Sequence, residues 1–406
     1  MKLGYIAIGL LMLPILAGCT SVETKSMAES AKLRAADGEA NDYLGYAVAT
    51  DGTRAIAGAY GDDDRGTNAG AAYVFVNRNG KWREEAKLLP LQAITNDQVG
   101  MAVAIDGDFA WVGSRGDIER GPQSGSAYVF RRFADGWVQV ARFRSQFPDS
   151  DDQYGLSLAV DGNRAVVGAH GDAENGRDAG CVYVYRLEND VWQFDERLVP
   201  PKGKPADYFG FSVDISGDRL IVGAFGDNAK GVRSGAAYVY RRTSDGWKGE
   251  IKLTAADGKK HNLFGHSVGI AGDVALVGAH GNDTLGRFSG AAYVFGRSSR
   301  GWRLIEKLEA PDKRANKYFG FSVALSNKRM LIGARGDSHE GHIQNGAAYL
   351  FGRSGSRITG PVKFVAQLPS DLDFLGRSVA VSDGSGFAGA HGDDDAGSLS
   401  GSVYTF

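Results

Sequence analysis

Short apolar runs, bounded by glycine, aspartate, asparagine and serine, recur along the chain at a constant spacing. The copy that spans 207–247 shows the pattern most clearly. Its four runs, the last of which extends beyond 247, are Phe209–Ile215, Arg219–Ala224, Ala236–Arg241 and Trp247–Leu253. They are rich in Val, Ile, Tyr and Phe, which is typical of β-strands, and the repeated region has no convincing helical period. The pattern therefore predicts an all-β protein built from repeats of four strands.

Three series of glycines keep the copies in register. The first series lies in the first apolar run and advances by 55 residues, or by 56 at the last step: Gly45, Gly100, Gly155, Gly210, Gly265, Gly320 and Gly376. The second series ends the second run: Gly58, Gly113, Gly168, Gly223, Gly278, Gly333 and Gly389. The third precedes the third run: Gly70, Gly125, Gly180, Gly235, Gly290, Gly346 and Gly401. Seven copies are therefore in phase, and the glycines indicate positive φ or close backbone approach.

The second and third runs, such as 165–169 and 291–295, are apolar at successive positions. Strands of this kind are buried on both faces. A four-stranded antiparallel sheet buried on both faces suggests blades arranged around an axis, which is the β-propeller. Asp-Gly dipeptides join the first two runs, and we predict type I′ hairpin turns at them: Asp51-Gly52, Asp106-Gly107, Asp161-Gly162 and Asp383-Gly384.

The two ends of the repeated region complement each other. Residues 403–406 correspond to the third strand of the seventh copy, and the fourth strand of that copy does not follow. Residues 30–38 resemble 251–258, which is a fourth-strand segment. We therefore predict that an N-terminal strand completes the last blade and closes a seven-bladed ring without an exposed edge. Residues 30–406 are assigned to this one domain.

Residues 1–18 have the features of a secretory signal peptide, with an apolar stretch too short to span a membrane. The stretch ends at Leu16-Ala17-Gly18-Cys19, which resembles a bacterial lipobox. This resemblance implies that Cys19 is lipidated, and Thr20 after it favours the outer membrane. An ordinary signal with a chance cysteine is the alternative. Residues 19–29 are predicted to be the lipidated cysteine and a tether, so we expect an exported protein anchored to the bacterial envelope.

Composition narrows the possible partners. The net charge is −2, from 46 basic and 48 acidic residues, and no basic field marks a nucleic-acid binder. The second cysteine, Cys181, stands where other copies have Ala or Ser. We expect it to be a small buried side chain without a partner. The core and ring closure, rather than disulfides, would then stabilise an exported monomer.

The residues Phe209-Gly210 and Gly223-Ala224 carry a family resemblance. The chain resembles bacterial FG-GAP repeat proteins, and hence the N-terminal propeller of integrin α-subunits, over about residues 30–406. The Phe position departs from the motif in several copies: Leu44, Val99, Tyr154, Phe209, Phe264, Phe319 and Leu375. The sixth copy lacks the fourth-strand tryptophan, which we interpret as a packing residue and which the others have as Trp82, Trp137, Trp192, Trp247 and Trp302.

Acidic loops follow the second run of nearly every copy. Because integrin propellers bind Ca²⁺ in such loops, the resemblance implies a possible Ca²⁺ cofactor, with carboxylate and amide oxygens as ligands. The candidate ligands are Asp62, Asp64, Asn68, Asp393 and Asp395. The spaced D-x-D-x-D-G pattern of those sites is missing, however. The alternative is that the first aspartate of each loop caps a turn by accepting backbone N–H bonds.

Two positions vary between copies although the scaffold is constant. One precedes the Gly-Asp or Gly-Asn of the loop: Tyr60, Arg115, His170, Phe225, His280, Arg335 and His391. The other follows the first glycine: Tyr46, Met101, Leu156, Phe211, His266, Phe321 and Arg377. Repeat proteins vary the surface that contacts partners. We therefore predict ligand contacts from all seven residues that precede the loop Gly-Asp or Gly-Asn and from Tyr46, Phe211, His266 and Arg377. Tolerated variation at half-exposed sites is the alternative, and three histidines in separate copies do not predict a metal site.

These features favour a non-catalytic binding module that recognises an envelope or extracellular protein or glycan on the loop face of the ring. The copies are uniform, and no nucleophile with its base and orienting group is recognisable. A propeller enzyme acting on polysaccharide and a Ca²⁺-binding adhesion protein are the alternatives. The tripeptide Arg-Gly-Asp occurs at 115–117 and 335–337. Both copies arise because arginine occupies the variable position before Gly-Asp, so they do not by themselves indicate adhesion.

Overall fold

The computed structural model describes residues 26–119, 121–146 and 150–406. The predicted signal peptide and Cys19 lie outside this range, so their predicted roles stay predictions. The described residues form strands and connections, and none of them forms a helix long and apolar enough to cross a membrane.

The described part of the chain contains 29 strands. They are β1 (Ser26–Ala28), β2 (Ala31–Leu33), β3 (Val48–Thr50), β4 (Arg54–Ala59), β5 (Ala71–Arg78), β6 (Lys81–Leu88), β7 (Val99–Asp106), β8 (Phe109–Ser114), β9 (Ser126–Phe133), β10 (Gly136–Phe143), β11 (Ser157–Asp161), β12 (Arg164–Ala169), β13 (Cys181–Glu188), β14 (Val191–Leu198), β15 (Ser212–Ser216), β16 (Arg219–Ala224), β17 (Ala236–Thr243), β18 (Gly246–Leu253), β19 (Ser267–Ala271), β20 (Val274–Ala279), β21 (Ala291–Ser298), β22 (Gly301–Leu308), β23 (Ser322–Leu325), β24 (Arg329–Ala334), β25 (Ala347–Ser354), β26 (Arg357–Val365), β27 (Ser378–Val381), β28 (Gly386–Ala390) and β29 (Ser402–Thr405).

The strands form seven four-stranded antiparallel blades around a central channel. Blades one to six use consecutive strands, starting with β3–β6 and ending with β23–β26. Blade seven has the order β2-β29-β28-β27, so its outer strand comes from the N-terminal segment. The inner strand β27 of blade seven also contacts β3 of blade one. The predicted seven-bladed ring and its closure by an N-terminal strand are confirmed.

Ring closure depends on a short ladder. In β2, Leu33 pairs with Val403 and is buried, and Ser30 donates from its backbone N–H to the Thr405 carbonyl at 2.7 Å. The strand β1 was not expected, because residues 19–29 were predicted to be a tether. It pairs in parallel with β26 and adds a fifth strand to the outer edge of blade six. Residues 26–28 of the predicted tether therefore form a strand.

The core lies between blades, as the runs of successive apolar residues predict. All residues of β16 and β20 are buried, and the core clusters join neighbouring blades. The recurring tryptophan of the outer strand takes part in this packing. Trp82 of blade one packs edge-to-face on Phe387 of blade seven, with ring centroids 5.0 Å apart. In blade six, Ile358 takes this place and packs partly buried against the adjoining cluster.

The two faces of the ring differ. In each blade the second-to-third connection, such as 225–235, and the connection to the next blade, such as 254–266, lie on one face, which we call the loop face. The opposite turn face carries the short hairpins. The predicted type I′ geometry of these hairpins is wrong, because Asp106 pairs with Phe109 and only Gly107 of the turn has positive φ, at 56°. A positive φ at the first central residue alone is the type II′ arrangement.

Candidate functional site

The central channel opens on the loop face, where the first strand of each blade begins. The opening is a cavity of about 470 Å³. The residues that follow the first glycine of all seven copies line it, and we call them the mouth ring: Tyr46, Met101, Leu156, Phe211, His266, Phe321 and Arg377. One variable position of the repeat is thus gathered around a single opening.

The floor of this cavity is aliphatic. Two residues further along each inner strand, seven branched side chains surround the channel: Val48, Val103, Leu158, Val213, Val268, Val323 and Val379. Below them the channel continues as a narrower space of about 240 Å³. Asp214 lies there, where the other blades have Ala or Gly. Burial raises the pKa of Asp214 to about 7, although the backbone N–H groups of Ile215 and Ile270 donate to its carboxylate.

The residues that precede the loop Gly-Asp or Gly-Asn, which we call the second variable series, belong to the same site. Arg115 and His170 line the cavity directly. The other five members contact the mouth ring. Four do so through their rings, with the ring centroids 4.7 Å apart for Tyr60 and Tyr46, 4.6 Å for Phe225 and Phe211, 4.2 Å for His280 and His266, and 5.7 Å for His391 and Tyr46. The fifth is Arg335, whose guanidinium lies 4.2 Å from the Phe321 centroid. The structure therefore brings every predicted ligand-contact residue to the mouth or to the layer of side chains touching it.

The cavity wall has two unlike arcs. An aromatic arc runs from His170 to Phe211, His266 and Phe321, with successive ring centroids 5.2, 4.9 and 4.8 Å apart. Arg377 continues the arc, because its guanidinium lies 5.0 Å from the Phe321 centroid and 4.1 Å from that of Tyr46. The remaining arc carries the apolar side chains of Met101 and Leu156 together with Arg115 and Gln153. A ligand in the mouth would therefore meet mainly aromatic rings on one side and a mixed apolar and polar surface on the other.

The histidines of the mouth are neutral at pH 7. Burial, with a smaller contribution from nearby arginines, lowers the pKa of His170 to about 4 and those of His266 and His391 to about 3, and also lowers that of His280. Nδ1 of His266 lies 3.1 Å from the Phe321 carbonyl and donates to it, which leaves Nε2 as an acceptor. His266 and His280 touch, whereas His170 packs on Tyr208 and His391 on Phe374. Among the described residues, no cluster of histidine, cysteine and carboxylate side chains could hold a metal.

Positive charge at the mouth is not balanced locally. Arg115 donates to Gln123 at 3.1 Å, and within the described ranges neither Arg335 nor Arg377 has a salt bridge. The cavity lining contains no aspartate or glutamate. Burial and the neighbouring Arg377 charge lower the pKa of Arg335. Because an unpaired, partly buried cation is costly, this arrangement favours an anionic group in the mouth.

The acidic loops lie outside this mouth and have their own partners. The first carboxylate of a loop accepts a backbone N–H two residues on, as from Asp64 to Asp62 at 3.2 Å. Its second oxygen accepts from a third-strand tyrosine and meets a fourth-strand cation. For Asp62 these partners are Tyr73 at 2.8 Å and Lys87 at 2.7 Å. In five other blades an equivalent lysine or arginine forms a salt bridge with the equivalent loop acid: Lys32 with Asp393, Arg142 with Asp117, Arg197 with Asp172, Lys252 with Asp227 and Lys363 with Asp337.

Comparison with known families matches six segments of the chain to the FG-GAP repeat: 27–75, 82–130, 137–185, 192–240, 247–295 and 302–351. The chain belongs to the FG-GAP repeat family. Each matched segment runs from the outer strand of one blade to the third strand of the next. The first segment accordingly begins with the N-terminal strands, including β2, which is the outer strand of blade seven. FG-GAP propellers are generally non-catalytic and act as binding or interaction modules.

Solved structures resemble this FG-GAP chain in fold. A chain of the mitotic checkpoint complex crystal structure is 12% identical, with a TM-score of 0.54 and coverage of 98% of this chain and 99% of that one. Sqt1 of Saccharomyces cerevisiae is 9% identical, with a TM-score of 0.46 and coverage of 94% and 98%. No curated protein matches the sequence. At such low identity the first similarity shows the fold alone.

The residues predicted as Ca²⁺ ligands do not fit a metal site in this FG-GAP propeller. Lys87 donates to both Asp62 and Asp64 at 2.7 Å, and Lys32 lies 2.5 Å from both Asp393 and Asp395. The backbone N–H of Asn68 is bound to Asp63. An ammonium group therefore occupies the space between the carboxylates where a cation would bind, and one oxygen of the first acid caps the turn. The lysine was missed, although a Lys or Arg recurs 25 or 26 residues after the loop acid in most blades.

Two further expectations concern buried acids. The aspartates of both Arg-Gly-Asp tripeptides are buried, with Asp337 only 1% exposed and bound to Lys317 and Lys363. Neither tripeptide is therefore presented to a partner. Cys181 is a small buried side chain, as expected, and it has a hydrogen-bond partner. Its thiol donates to the Asp172 carboxylate at 3.3 Å, and burial raises its pKa well above the usual range.

A third variable series contributes to the mouth and was missed. Two residues before the first glycine, four copies have an aromatic side chain: Tyr43, Tyr208, Tyr318 and Phe374. These residues have positive φ and stack on the second series, as Tyr43 does on Tyr60 with centroids 4.7 Å apart. Their variation between copies could have identified them, but the stacking depends on backbone geometry that the residue pattern does not show.

Proposed function

We propose that this FG-GAP propeller is a lipid-anchored, non-catalytic binding module that captures a protein or glycan of the cell envelope at the mouth of its central channel. One observation carries the proposal. The positions that differ between copies line or touch a single cavity, whereas the positions shared by all copies hold neighbouring blades together. Selection for folding alone would not require a different side chain in each blade at the opening.

The cavity is suited to a ligand that enters end-on. A volume of about 470 Å³ is within the range of small-ligand sites, and the wall combines apolar rings with a few polar groups. The mouth is also formed by seven inner strands of one closed ring, so its geometry is rigid before binding. A preformed site of this kind avoids much of the entropy cost of ordering loops on association.

The first described strand places the proposed anchor at the edge of blade six. Strand β1 pairs in parallel with Lys363–Val365, at the loop-face end of β26. Six residues lie between Cys19 and Ser26, so a lipidated cysteine could be at most about 25 Å from the ring. A lipid on Cys19 would therefore hold this edge of the ring close to the membrane.

The binding proposal is tested by a combined mouth variant, Tyr46→Ala, Phe211→Ala, His266→Ala and Arg377→Ala. A glycan array and a pull-down from envelope extract would identify a ligand for the unaltered protein, and we expect the variant to lose at least about tenfold in affinity. The matched control changes three exposed residues at hairpins of the turn face, Lys81→Ala, Asp135→Ala and Arg300→Ala. A ligand that tolerates the mouth variant but is lost from the control would place the binding surface elsewhere.

The anchor is tested separately by Cys19→Ala. We expect the variant to move from the membrane fraction to the soluble fraction, because the lipid supplies the membrane affinity. Fractionation followed by immunodetection measures this, with Cys181→Ala as the cysteine control that should stay with the membrane. Continued membrane association of Cys19→Ala would contradict lipid anchoring.

A further inference from the structure

Two arginines line the mouth, and a third lies behind them. Arg115 and Arg377 line the cavity, and Arg335 lies one layer behind, with its guanidinium 4.2 Å from the Phe321 centroid. No carboxylate lines the cavity among the described residues. The nearest acid in the channel is Asp214, which lies below the aliphatic floor and accepts from two backbone amides. The balance of charge at the mouth is therefore positive, although the whole chain has a net charge of −2.

The orientation of Arg377 leaves its hydrogen-bond donors free. Its guanidinium stacks against Tyr46 at 4.1 Å and lies 5.0 Å from the Phe321 centroid. Stacking uses the flat face of the guanidinium and leaves the in-plane N–H groups to bind an oxyanion. The stacking also restricts the side chain, so that less rotamer entropy is lost when an anion binds.

Polar atoms at the mouth lack partners, and this is an observation independent of the charge. Nδ1 of His170 and of His280 is buried and makes no hydrogen bond within the described part of the chain, and the two side chains are only 5% and 8% exposed. Nε of Arg335 is also buried and makes no hydrogen bond within the described ranges. Buried polar groups without partners are rare in folded proteins. His170 lines the cavity, so a ligand hydroxyl there would supply a partner to Nδ1 once the imidazole ring turns toward the opening.

The remaining wall favours a sugar ring over an acidic peptide. The half-exposed rings of Tyr46 and Phe211 face a cavity with an aliphatic floor, and a compact ring can stack there. Neutral histidine nitrogens on the same wall match sugar hydroxyls, since a neutral imidazole both donates and accepts. An extended acidic peptide would have to continue below this floor, into a space of about 240 Å³ whose charged lining residue is the acid Asp214.

We propose that the mouth binds an anionic sugar, whose oxyanion pairs with Arg377 and whose ring packs on Tyr46 and Phe211, while Arg335 adds positive charge from the layer behind. This inference rests on the proposed binding function and gives its ligand a chemical class. A carboxylate and a phosphate share the oxyanion chemistry, so both are included in the test.

The experiment is calorimetric titration of the full chain with trigalacturonic acid, with its neutral methyl ester, and with mannose 6-phosphate against mannose. We expect at least one acidic sugar to bind and its neutral counterpart to bind at least about tenfold more weakly. Arg377→Gln should weaken binding of the acidic sugar by about tenfold or more, and Arg335→Gln should weaken it by a smaller factor because its charge acts from the layer behind. Arg377→Lys keeps the charge but loses the planar fork. It should bind the acidic sugar with an affinity between those of the unaltered protein and Arg377→Gln. Arg300→Gln on the turn face is the matched arginine control and should bind as the unaltered protein does. Melting temperatures of all variants separate loss of binding from loss of fold.

Each outcome decides the inference. Equal binding of the acid and its ester, both lost in Phe211→Ala, would overturn the anionic ligand and leave the proposed binding mouth intact. Binding of an acidic sugar that Arg377→Gln and Arg335→Gln do not weaken would place the oxyanion elsewhere and overturn the assignment. If no acidic sugar binds, the ligand class is wrong, and the array and pull-down with the mouth variant still decide the binding function.

Discussion

Gly223→Ala is expected to destabilise the propeller by more than about 3 kcal/mol, because the new methyl group would collide with the next blade. A Cβ at this position would lie 2.0 Å from the carbonyl oxygen of Gly265 and 2.2 Å from Oγ of Ser212. The Gly265 carbonyl is part of the backbone, so it cannot rotate away from the new methyl group. Blades four and five would have to separate, and the strain would be passed around a closed ring.

This close approach is repeated at every blade junction. A Cβ on the second-series glycine would come within 2.1 Å or less of a first-series glycine carbonyl in each case: Gly58 on Gly100, Gly113 on Gly155, Gly168 on Gly210, Gly223 on Gly265, Gly278 on Gly320, Gly333 on Gly376 and Gly389 on Gly45. Two of the three glycine series therefore exist because adjacent blades touch backbone to backbone.

The control for this prediction is Gly249→Ala in β18. The nearest atom to a Cβ there is Cε1 of Tyr240 at 3.9 Å, and the φ of Gly249 is not positive. Alanine should be neutral or stabilise by up to about 1 kcal/mol, because it restricts the unfolded chain. Chemical denaturation of both variants measures the difference. Equal losses of stability in the two variants would show that blade contact is not the cause.

Removal of residues 1–36 is expected to prevent formation of a stable ring, with a loss of at least about 5 kcal/mol. The deletion removes β2, so the backbone groups of β29 lose their partner and become an exposed edge. It also removes the buried Leu33 side chain. Asp393, which is buried, loses the ammonium of Lys32 at 2.5 Å. We expect aggregation, or a melting transition that is much lower and broader.

Removal of residues 1–29 is the matched control. It deletes β1 but keeps β2, and β1 only extends the outer edge of blade six. We expect a loss of about 1 kcal/mol or less, comparable to a few exposed backbone hydrogen bonds. Thermal melting and size-exclusion chromatography compare the two deletions. If the longer deletion remained as stable as the shorter one, the strand β2 would not be what closes the ring.

The strands of the second and third positions were predicted closely from the residue pattern. Arg219–Ala224 has the predicted bounds, because an unbroken apolar run that is buried on both faces has few alternatives. The first run begins later than predicted, at Ser212 rather than Phe209. Phe209 donates its backbone N–H to Ala179 of the preceding blade at 3.1 Å. This residue belongs to the junction between blades, which alternation along one strand cannot reveal.

In the candidate site, too, some features were predicted from the residue pattern and others depend on contacts between strands. Variation at two repeat positions was enough to identify the residues that line or touch the mouth, because a variable position stands out against a constant scaffold. That they meet at one cavity depends on the inner strands that carry them. The Ca²⁺ prediction followed from the acidic loops and from the resemblance to integrin propellers. It did not anticipate that Lys87 and its equivalents reach those acids, since the partners are on another strand and meet only when the blade is folded.

For this protein, the amino-acid sequence by itself determined the number of blades, the four-strand repeat, the closing strand and the variable positions. These depend on local patterns that recur in every copy. Only the tertiary structure decided that β1 docks on blade six, that the loop acids are neutralised by lysine or arginine, and that two arginines at the mouth lack acidic partners. Those features depend on distances between side chains of different strands and blades, and packing around the ring sets those distances.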